Sequence, residues 1–460
     1  MQEKEYAVKF PLRSNAGKKL NPTRVIALGF GMIILLGTLL LHLPVSARDG
    51  QWTSWLDCLF TATSATCVTG LARVDTALHW SGFGQLVILF LIQLGGLGFV
   101  TVISLVSLAM GRRIGLGQRM MLASAMNMDQ TAGVVRVVRH ALIGTFLIEG
   151  AGALLLAVRF VPLFGWGKGL WFSIFHSISA FCNGGFDLMG GYSGSFTSMS
   201  AFQNDWFVLT ILIFLIVVAG LGFFVWEDIW EKRRWKTLTL YSKLVLGISG
   251  GLILVGWALI LWMEWNNPAT LGTLSVPDKL LNALFQSVTL RTAGFAAIDQ
   301  AGLTDSTAVL SIVWMLIGGS SGSTAGGMKT VTAGVLLLFV WSRLRGEERV
   351  VLHGRTIPER KVLDGVVLLL VVLFLFLTGS MMLALTDSLP FVAASYEVAS
   401  ALATVGLSMG ATPLLSVGGC LMIILFMFLG RVGVLSFSIA FLTCRGSSKL
   451  RYPDADIMIG

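Results

Sequence analysis

Four short segments hold the residues of this chain that could do chemistry. Each combines hydroxyl, amide or thiol side chains with a glycine that is followed by Leu or Phe. Backbone carbonyl oxygens beside such a glycine can replace the water shell of a cation, and glycine supplies the left-handed angles that the turn needs. The segments therefore predict a site for a monovalent cation. They are ATSATCVTGL, SISAFCNGGF, QSVTLRTAGF and VASALATVGL, and their glycines, at intervals of 115, 109 and 112 residues, are Gly70, Gly185, Gly294 and Gly406.

The recurrence of these glycines is what gives them weight. One glycine in an apolar chain indicates a tight turn or close helix packing as readily as a functional element. Four glycines at one period, each between two apolar runs, favour a repeated functional element.

The surrounding sequence is that of a membrane protein. Of the 460 residues, 55% are hydrophobic and 12% are charged, and the mean hydropathy is +0.81. A soluble domain carries about 25% charged residues. The first apolar run, 24–43, is not followed by a small-residue cleavage site, so we interpret it as a retained span. The five cysteines show neither metal-ligand spacing nor a disulfide framework.

The net charge of +9 reflects membrane topology. Of the 33 Lys and Arg residues, 25 fall in five clusters separated by pairs of apolar runs. Positive charge marks the cytoplasmic side of a membrane, so the clusters and both termini are predicted to lie in the cytoplasm. This arrangement favours contact with anionic lipid or an acidic partner and gives no support to nucleic-acid binding.

Each glycine segment lies in a unit with the same order of elements. An outgoing helix precedes a stretch of about 12–15 residues, which at 1.5 Å per residue is too short to cross roughly 30 Å of hydrocarbon. A returning helix follows the glycine. The outgoing helices are predicted at 24–43, 135–161, 240–265 and 362–385, and the returning helices at 80–111, 202–230, 308–341 and 415–444.

These units predict an all-α polytopic membrane protein of four parallel M1–P-loop–M2 repeats. Eight transmembrane helices and four re-entrant pore helices would surround a pseudo-fourfold pore within one chain. The predicted repeats are 24–111, 132–231, 237–345 and 361–444, within a single ion-transport domain of residues 1–460 that has tails at 1–23 and 445–460.

The glycine segments resemble the filter segments of the Trk/Ktr/HKT superfamily of potassium transporters. The matching stretches are TCVTGL, CNGGFDL, TLRTAGF and ATVGLS, and the similarity covers essentially the whole chain. The chain has no extra helix pair before its first repeat, so it is more similar to the Ktr membrane subunit (KtrB-like) than to the longer Trk subunit. Its ending, RYPDADIMIG, is similar to the Ktr C-terminus, which lies at the dimer interface in that family.

The resemblance implies which residues bind the ion. In that family the ion sites are filter carbonyl oxygens, which correspond here to each glycine and the two residues before it. Relatives that carry sodium often have Ser at the first glycine, so Gly70 implies potassium. The implied filter residues are Val68, Thr69, Gly70, Asn183, Gly184, Gly185, Thr292, Ala293, Gly294, Thr404, Val405 and Gly406.

A glycine-rich loop, GGSSGSTAGGMKT, interrupts the third returning helix. It nearly matches a phosphate-binding P-loop, but that motif needs a preceding strand and an aqueous nucleotide site, and neither is available. A glycine-packed kink is the simpler alternative, whereas the resemblance implies an intramembrane gating loop. Its residues are Gly318, Gly319, Ser320, Ser321, Gly322, Ser323, Thr324, Ala325, Gly326, Gly327, Met328, Lys329 and Thr330.

Two arginines lie in segments that should be apolar. Arg431 stands alone in the run 415–443, where an Arg costs about 2.5–3.5 kcal/mol on insertion scales. It follows Gly406 by 25 residues, which predicts a place under the filter, and the family has an Arg in the gate. Snorkelling or pairing with a carboxylate is the alternative. Arg291, in the third segment, is expected to point away from the pore toward an acid that the sequence does not identify.

The sequence predicts potassium uptake and no catalysis, because it contains no HExxH or GxSxG motif and no usable nucleotide site. The resemblance implies a homodimer in the bacterial plasma membrane on a cytoplasmic KtrA/KtrC-like RCK regulatory ring. ATP or ADP would act on that partner, and Na⁺ would be an activator. The alternatives are a sodium-selective or sodium/potassium transporter of the same fold and, from another class, a non-conducting membrane receptor or assembly subunit.

Overall fold

The computed structural model describes residues 22–98, 134–352 and 354–433. The predicted tail at 445–460, with its place at a dimer interface, lies outside the described residues, as do most of the tail at 1–23 and the basic connector after the first repeat.

Four long apolar helices form the outer part of the fold. Each passes the length and hydropathy criteria for a membrane span, and each corresponds to a predicted outgoing helix. We call the side on which these helices end the mouth face. The four helices are α1 (Pro22–His42), α5 (Val134–Phe164), α10 (Leu240–Glu264) and α14 (Glu359–Thr386).

Four shorter helices run back from the mouth face toward the glycine segments. Their buried faces carry many hydroxyl residues, and three of them end in a run of fully buried residues. Each packs on the long helix that precedes it in the chain. They are α2 (Trp55–Thr66), α6 (Trp166–Phe181), α11 (Val276–Thr289) and α15 (Phe391–Ala403).

The returning paths are built from shorter helices. The first helix ends at Leu97 and the fourth at Val432, and the predicted continuations at 99–111 and 434–444 lie outside the described residues. The third path is split by the glycine-rich loop, as predicted. Their helices are α4 (Gly82–Leu97), α8 (Trp206–Leu221), α9 (Phe223–Lys232), α12 (Asp305–Leu316), α13 (Thr330–Leu344) and α16 (Val417–Val432).

The prediction of an unbroken second returning helix is wrong. α8 and α9 meet at 91°, and Gly222 between them has a left-handed φ of 88°. Gly98 and Gly433, at the ends of α4 and α16, have φ values of 78° and 91°. Glycine adopts these angles without the steric penalty of a side chain, and the apolar pattern around it gives no sign of the turn. In the described residues, four helices are long enough to span a membrane, or five if the bent pair is one span.

The helices pack in a closed cycle. Each returning path contacts the short helix of the next unit, and α16 of the fourth unit contacts α2 of the first. In the first, second and fourth units the returning helix also packs on the short helix of its own unit, whereas α12 of the third unit packs on the long helix α10. The glycine segments are thereby brought together at the centre of the fold. The remaining elements are the short helices α3 (Thr76–His79) and α7 (Gly190–Ser193) and a hairpin of β1 (Val351–Leu352) and β2 (Arg355–Thr356).

Candidate functional site

The four repeated glycines form a closed ring. All have left-handed φ, at 98° for Gly70, 67° for Gly185, 82° for Gly294 and 99° for Gly406. A Cβ atom placed on each would meet the backbone of the next segment, at most 3.0 Å from a carbonyl oxygen. In order around the ring, the facing oxygens are those of Gly184, Ala293, Val405 and Thr69.

The residue two positions before each glycine repeats the geometry. These residues all have φ between 54° and 66°, a region that residues other than glycine rarely occupy. The polar side chains among them are buried and have no hydrogen-bond partner among the described residues. Unpartnered buried polar atoms are costly, so the ring offers polar groups to something that is not protein. The four residues are Val68, Asn183, Thr292 and Thr404.

Hydroxyl groups from the short helices hold the segments from behind. Ser64 and Ser400, each six residues before the glycine, accept hydrogen bonds from the N–H groups of Gly70 and Gly406 at 3.1 and 3.0 Å. Ser179 donates to Phe186 O at 2.7 Å. In the third segment Thr289 makes the equivalent bond to Phe295 O at 2.7 Å. The Asn183 side chain takes no part in this support, because it lacks a hydrogen-bond partner among the described residues.

Two further buried side chains, His176 and Glu397, form hydrogen bonds to the chain that follows the ring glycines. Neither role was predicted from the sequence. His176 Nε2 accepts from the N–H of Leu188 at 3.2 Å, and its Nδ1 lies 2.7 Å from Phe172 O. Glu397 accepts from the hydroxyl groups of Ser408 and Thr412. His176 and Glu397 each lie nine residues before the glycine of their segment. This shared register was the signal that could have identified them.

The ring opens to a cavity on the mouth face. All four ring glycines line this cavity, whose volume is about 570 Å³. Asp187 and Asp299 contribute carboxylates to its wall, and no Lys or Arg of the described residues lines it. A cleft with only negative charge raises the local concentration of cations.

The loop 318–330 lies on the opposite side of the ring, among the ends of the returning helices. Ser320 N and Oγ both reach Gly220 O, at 3.1 and 2.8 Å, and Thr324 Oγ1 donates to Phe181 O at 3.2 Å. A Cβ atom on Gly326 would overlap the side chain of Thr404 in the ring. The loop therefore contacts the ring itself and the bend of the second unit.

Arg431 links this loop to the first unit. Its guanidinium donates to Thr324 O in the loop and to Gly95 O and Gly96 O in the last turn of α4. Carbonyl oxygens at a helix C-terminus carry partial negative charge, so they partly compensate the charge of the partly buried Arg431. Carbonyl oxygens take the place of the carboxylate that pairing would require. Lys329 lies in the same loop and is partly buried, with its Nζ 2.8 Å from Ala325 O.

Arg291 contacts hydroxyl groups where we expected an acid. Its Nη2 donates to Ser249 Oγ at 3.0 Å and to Thr330 Oγ1 at 3.2 Å, and its side chain is 5% exposed. Thr330 in turn donates to Gly318 O at 2.9 Å, so Arg291 connects the third segment to both ends of the loop. The acids at or near the spans bind other groups: Asp57 pairs with Arg73, Glu149 with Gln93, Glu264 with Thr270 and Thr304, and Glu397 with Thr412.

Comparison with known proteins gives one consistent result. Residues 26–450 match the family model described as TrkH, cation transport protein. The chain is 40% identical over 455 residues to the potassium/sodium uptake protein NtpJ of Enterococcus hirae, covering 98% of this chain and 99% of that protein. It is also 40% identical to the Ktr system potassium uptake protein B of Bacillus subtilis, with 96% and 97% covered.

A solved structure has the same fold. The potassium transporter TrkH of Vibrio parahaemolyticus superposes with a TM-score of 0.71, covering 93% of this chain and 86% of that one. At 19% sequence identity, this match is evidence for the fold only.

Proposed function

Because this chain belongs to the TrkH family of cation transport proteins, we propose that it takes up potassium through the glycine ring. The four segments act as re-entrant pore loops, and the carbonyl oxygens of the twelve filter residues replace the water shell of the ion. The observation that carries the proposal is the closed ring, in which each left-handed glycine faces a carbonyl oxygen of the next segment. Potassium is the substrate of this pathway.

The short helices support the choice of a cation. Each ends just before its glycine, so the negative end of its dipole is directed at the centre of the ring. The two carboxylates of the mouth cavity add to this field and attract cations before they enter.

The loop 318–330 and Arg431 form the gate in this proposal. They lie on the far side of the ring from the mouth cavity, where the positive charge of the partly buried Arg431 opposes the passage of a cation. Opening requires the hydrogen bonds from Arg431 to the loop and to α4 to break.

The test of function is uptake of rubidium or potassium in cells that lack their own uptake systems, with and without sodium. Uptake that depends on this protein is the expected result. Correct membrane insertion without uptake in any condition would refute the proposal and favour a non-conducting receptor or assembly subunit.

A second candidate, transport of sodium as well as potassium, is favoured by the name of the Enterococcus hirae relative. We expect Gly70→Ser to lower potassium uptake and to raise the ratio of sodium to potassium transported. The reason is steric, because a Cβ atom at Gly70 would lie 2.7 Å from Gly184 O and 3.0 Å from Gly185 Cα, so the ring must shift and alter its ion cage. Competition of sodium against rubidium uptake measures the ratio. An unchanged ratio with reduced uptake would indicate that Gly70 does not set selectivity.

Partners follow from the relatives. The name of the Bacillus subtilis protein places it in a Ktr system. We propose that this chain likewise works as a homodimer in the bacterial plasma membrane, with cytoplasmic termini and a nucleotide-binding ring. ATP or ADP then acts on the ring, and sodium activates transport. Co-purification of the chain with such a ring tests the assembly.

A further inference from the structure

A second cavity on the mouth face lies outside the ion path. It has a volume of about 570 Å³ and lies between the first and second units. Its walls come from α3 and α4 on one side and from α6, α7 and the end of α5 on the other. None of the ring glycines lines it, which separates it from the mouth cavity.

The basic residues of the mouth face that lack a partner within the described ranges are located at this cavity. By sequence, five Lys or Arg residues lie near that face, and three of them have partners in the structure. Arg48 and Lys168 are the other two, and their exposed side chains have no hydrogen-bond or ionic partner in the described part of the chain. Both line the second cavity. The three partnered residues are Arg73 with Asp57, Arg159 with Asp205, and Lys279 with Trp265.

The interior of the cavity is aromatic and apolar. Phe164 contacts Phe172 and Tyr192, with ring centroids 5.1 and 5.0 Å apart. The Gln85 side chain accepts from Trp171 Nε1 at 2.9 Å and donates to Trp80 O at 3.1 Å, so both of its polar groups are already satisfied. The wall therefore offers few free hydrogen-bonding groups to a small soluble anion, which would interact favourably mainly with Arg48 and Lys168.

The cavity lies at the depth where a membrane meets water. Three tryptophans near Arg48 and Lys168 in the chain are strongly exposed, with 64% for Trp52, 56% for Trp55 and 76% for Trp166. Exposed tryptophans of this kind mark the headgroup region of a bilayer. The two cations lie at the level of the lipid headgroups, and the apolar cleft beside them can take an acyl chain.

We propose that this cavity binds one anionic phospholipid, with its phosphate between Arg48 and Lys168 and an acyl chain along Phe172 and Trp171. The lipid also braces the ion path. Leu188, three residues after Gly185 of the ring, forms part of the cavity wall. Its N–H donates a hydrogen bond to His176. Binding needs only that the chain lies in a membrane, whereas the bracing effect rests on the proposed function.

The test is native mass spectrometry of the purified full-length protein with added phosphatidylglycerol or phosphatidylcholine. We expect one phosphatidylglycerol to be retained about tenfold more strongly than phosphatidylcholine, and Arg48→Gln with Lys168→Gln to remove that preference. Arg159→Gln is the matched control, because it removes a cation of the same face that already has a partner. It should retain the lipid.

A second variant keeps the charges and fills the cleft. A Cβ atom on Gly191 has only Leu78 within 4 Å, so Gly191→Leu fits and projects into the cavity. It should also lose the phosphatidylglycerol, and it tests the proposal if the double charge variant does not fold. Rubidium uptake into liposomes with and without phosphatidylglycerol then tests the bracing effect separately.

Three results would overturn the proposal. Equal phosphatidylglycerol retention by the wild type and both variants would show that the cavity holds no lipid. Displacement of the bound species by inorganic phosphate would indicate a soluble anion. A change in the dimer fraction of the charge variant, with lipid retention unchanged, would show that the cavity is covered by a second copy of the chain.

Discussion

Replacing Gly406 by alanine is expected to abolish cation uptake, with a loss of at least about tenfold. The new Cβ atom would overlap Thr69 O and lie 3.0 Å from Gly70 Cα, and both are backbone atoms that cannot rotate away. The φ of 99° adds strain of about 1–3 kcal/mol for a residue with a side chain. Because Thr69 O is one of the proposed ion ligands, relieving the overlap moves the cage itself. Rubidium uptake by cells with equal amounts of inserted protein is the measurement.

Gly247→Ala supplies the matched control for this change. Gly247 lies inside α10, and a Cβ atom placed on it would have no atom of another described element within 4 Å. The substitution adds the same methyl group in a helix, where alanine is favoured over glycine, so we expect normal uptake. Equal uptake by the two variants would contradict a role for the ring in conduction.

Arg431→Ala is expected to raise cation flux by roughly tenfold when the regulatory partner is absent. A unit charge about 4 Å from a passing cation opposes it by about 4 kcal/mol at an effective dielectric constant of 20, and the substitution removes that charge. It also releases the hydrogen bonds from Arg431 to Thr324 O and to α4. Deleting residues 320–325 should have a similar effect, because the loop is the other half of the proposed gate. Rubidium flux into proteoliposomes measures both.

The combination of the two changes sharpens the test. Groups that act at one barrier are not additive, so the double variant should conduct little more than either single variant. Arg360→Ala, which removes an exposed arginine at the start of α14, serves as the control for loss of a positive charge. Unchanged or reduced flux in Arg431→Ala, with normal insertion, would mean that Arg431 stabilises the fold and does not gate.

Much of this fold could be anticipated from composition and period. The short stretch predicted before the third glycine is α11 at Val276–Thr289, because Ser275 caps its first turn and the left-handed residues Thr292 and Gly294 follow its end. The long helices could be anticipated for a simpler reason, since lipid demands about 20 apolar residues whatever the rest of the chain does. The ring glycines could be located because their left-handed backbone excludes other residues at a fixed register.

What the sequence could not provide are contacts between distant residues. Arg431 binds carbonyl oxygens of Gly95 and Gly96, which lie more than 330 residues away and carry no side-chain signal. Arg291 was expected near an acid, yet hydroxyl groups of Ser249 and Thr330 surround its Nη2 atom. The right-angle bend at Gly222 was missed because AGLGFF is as apolar as a continuous helix.

The ring closes within a single polypeptide, and this determines how variants of the protein behave in a cell. A channel built from four identical subunits places every substitution at four positions, and cells carrying two alleles assemble mixed rings. Here each of the four glycine segments is encoded separately, so one substitution alters one quarter of the ring in every molecule. The position three residues before the glycine already differs in all but one pair of segments, being Cys67, Cys182, Arg291 and Ala403. Mutation can therefore adjust one wall of the ring while the other three keep their chemistry, and heterozygous mixing within a ring cannot occur.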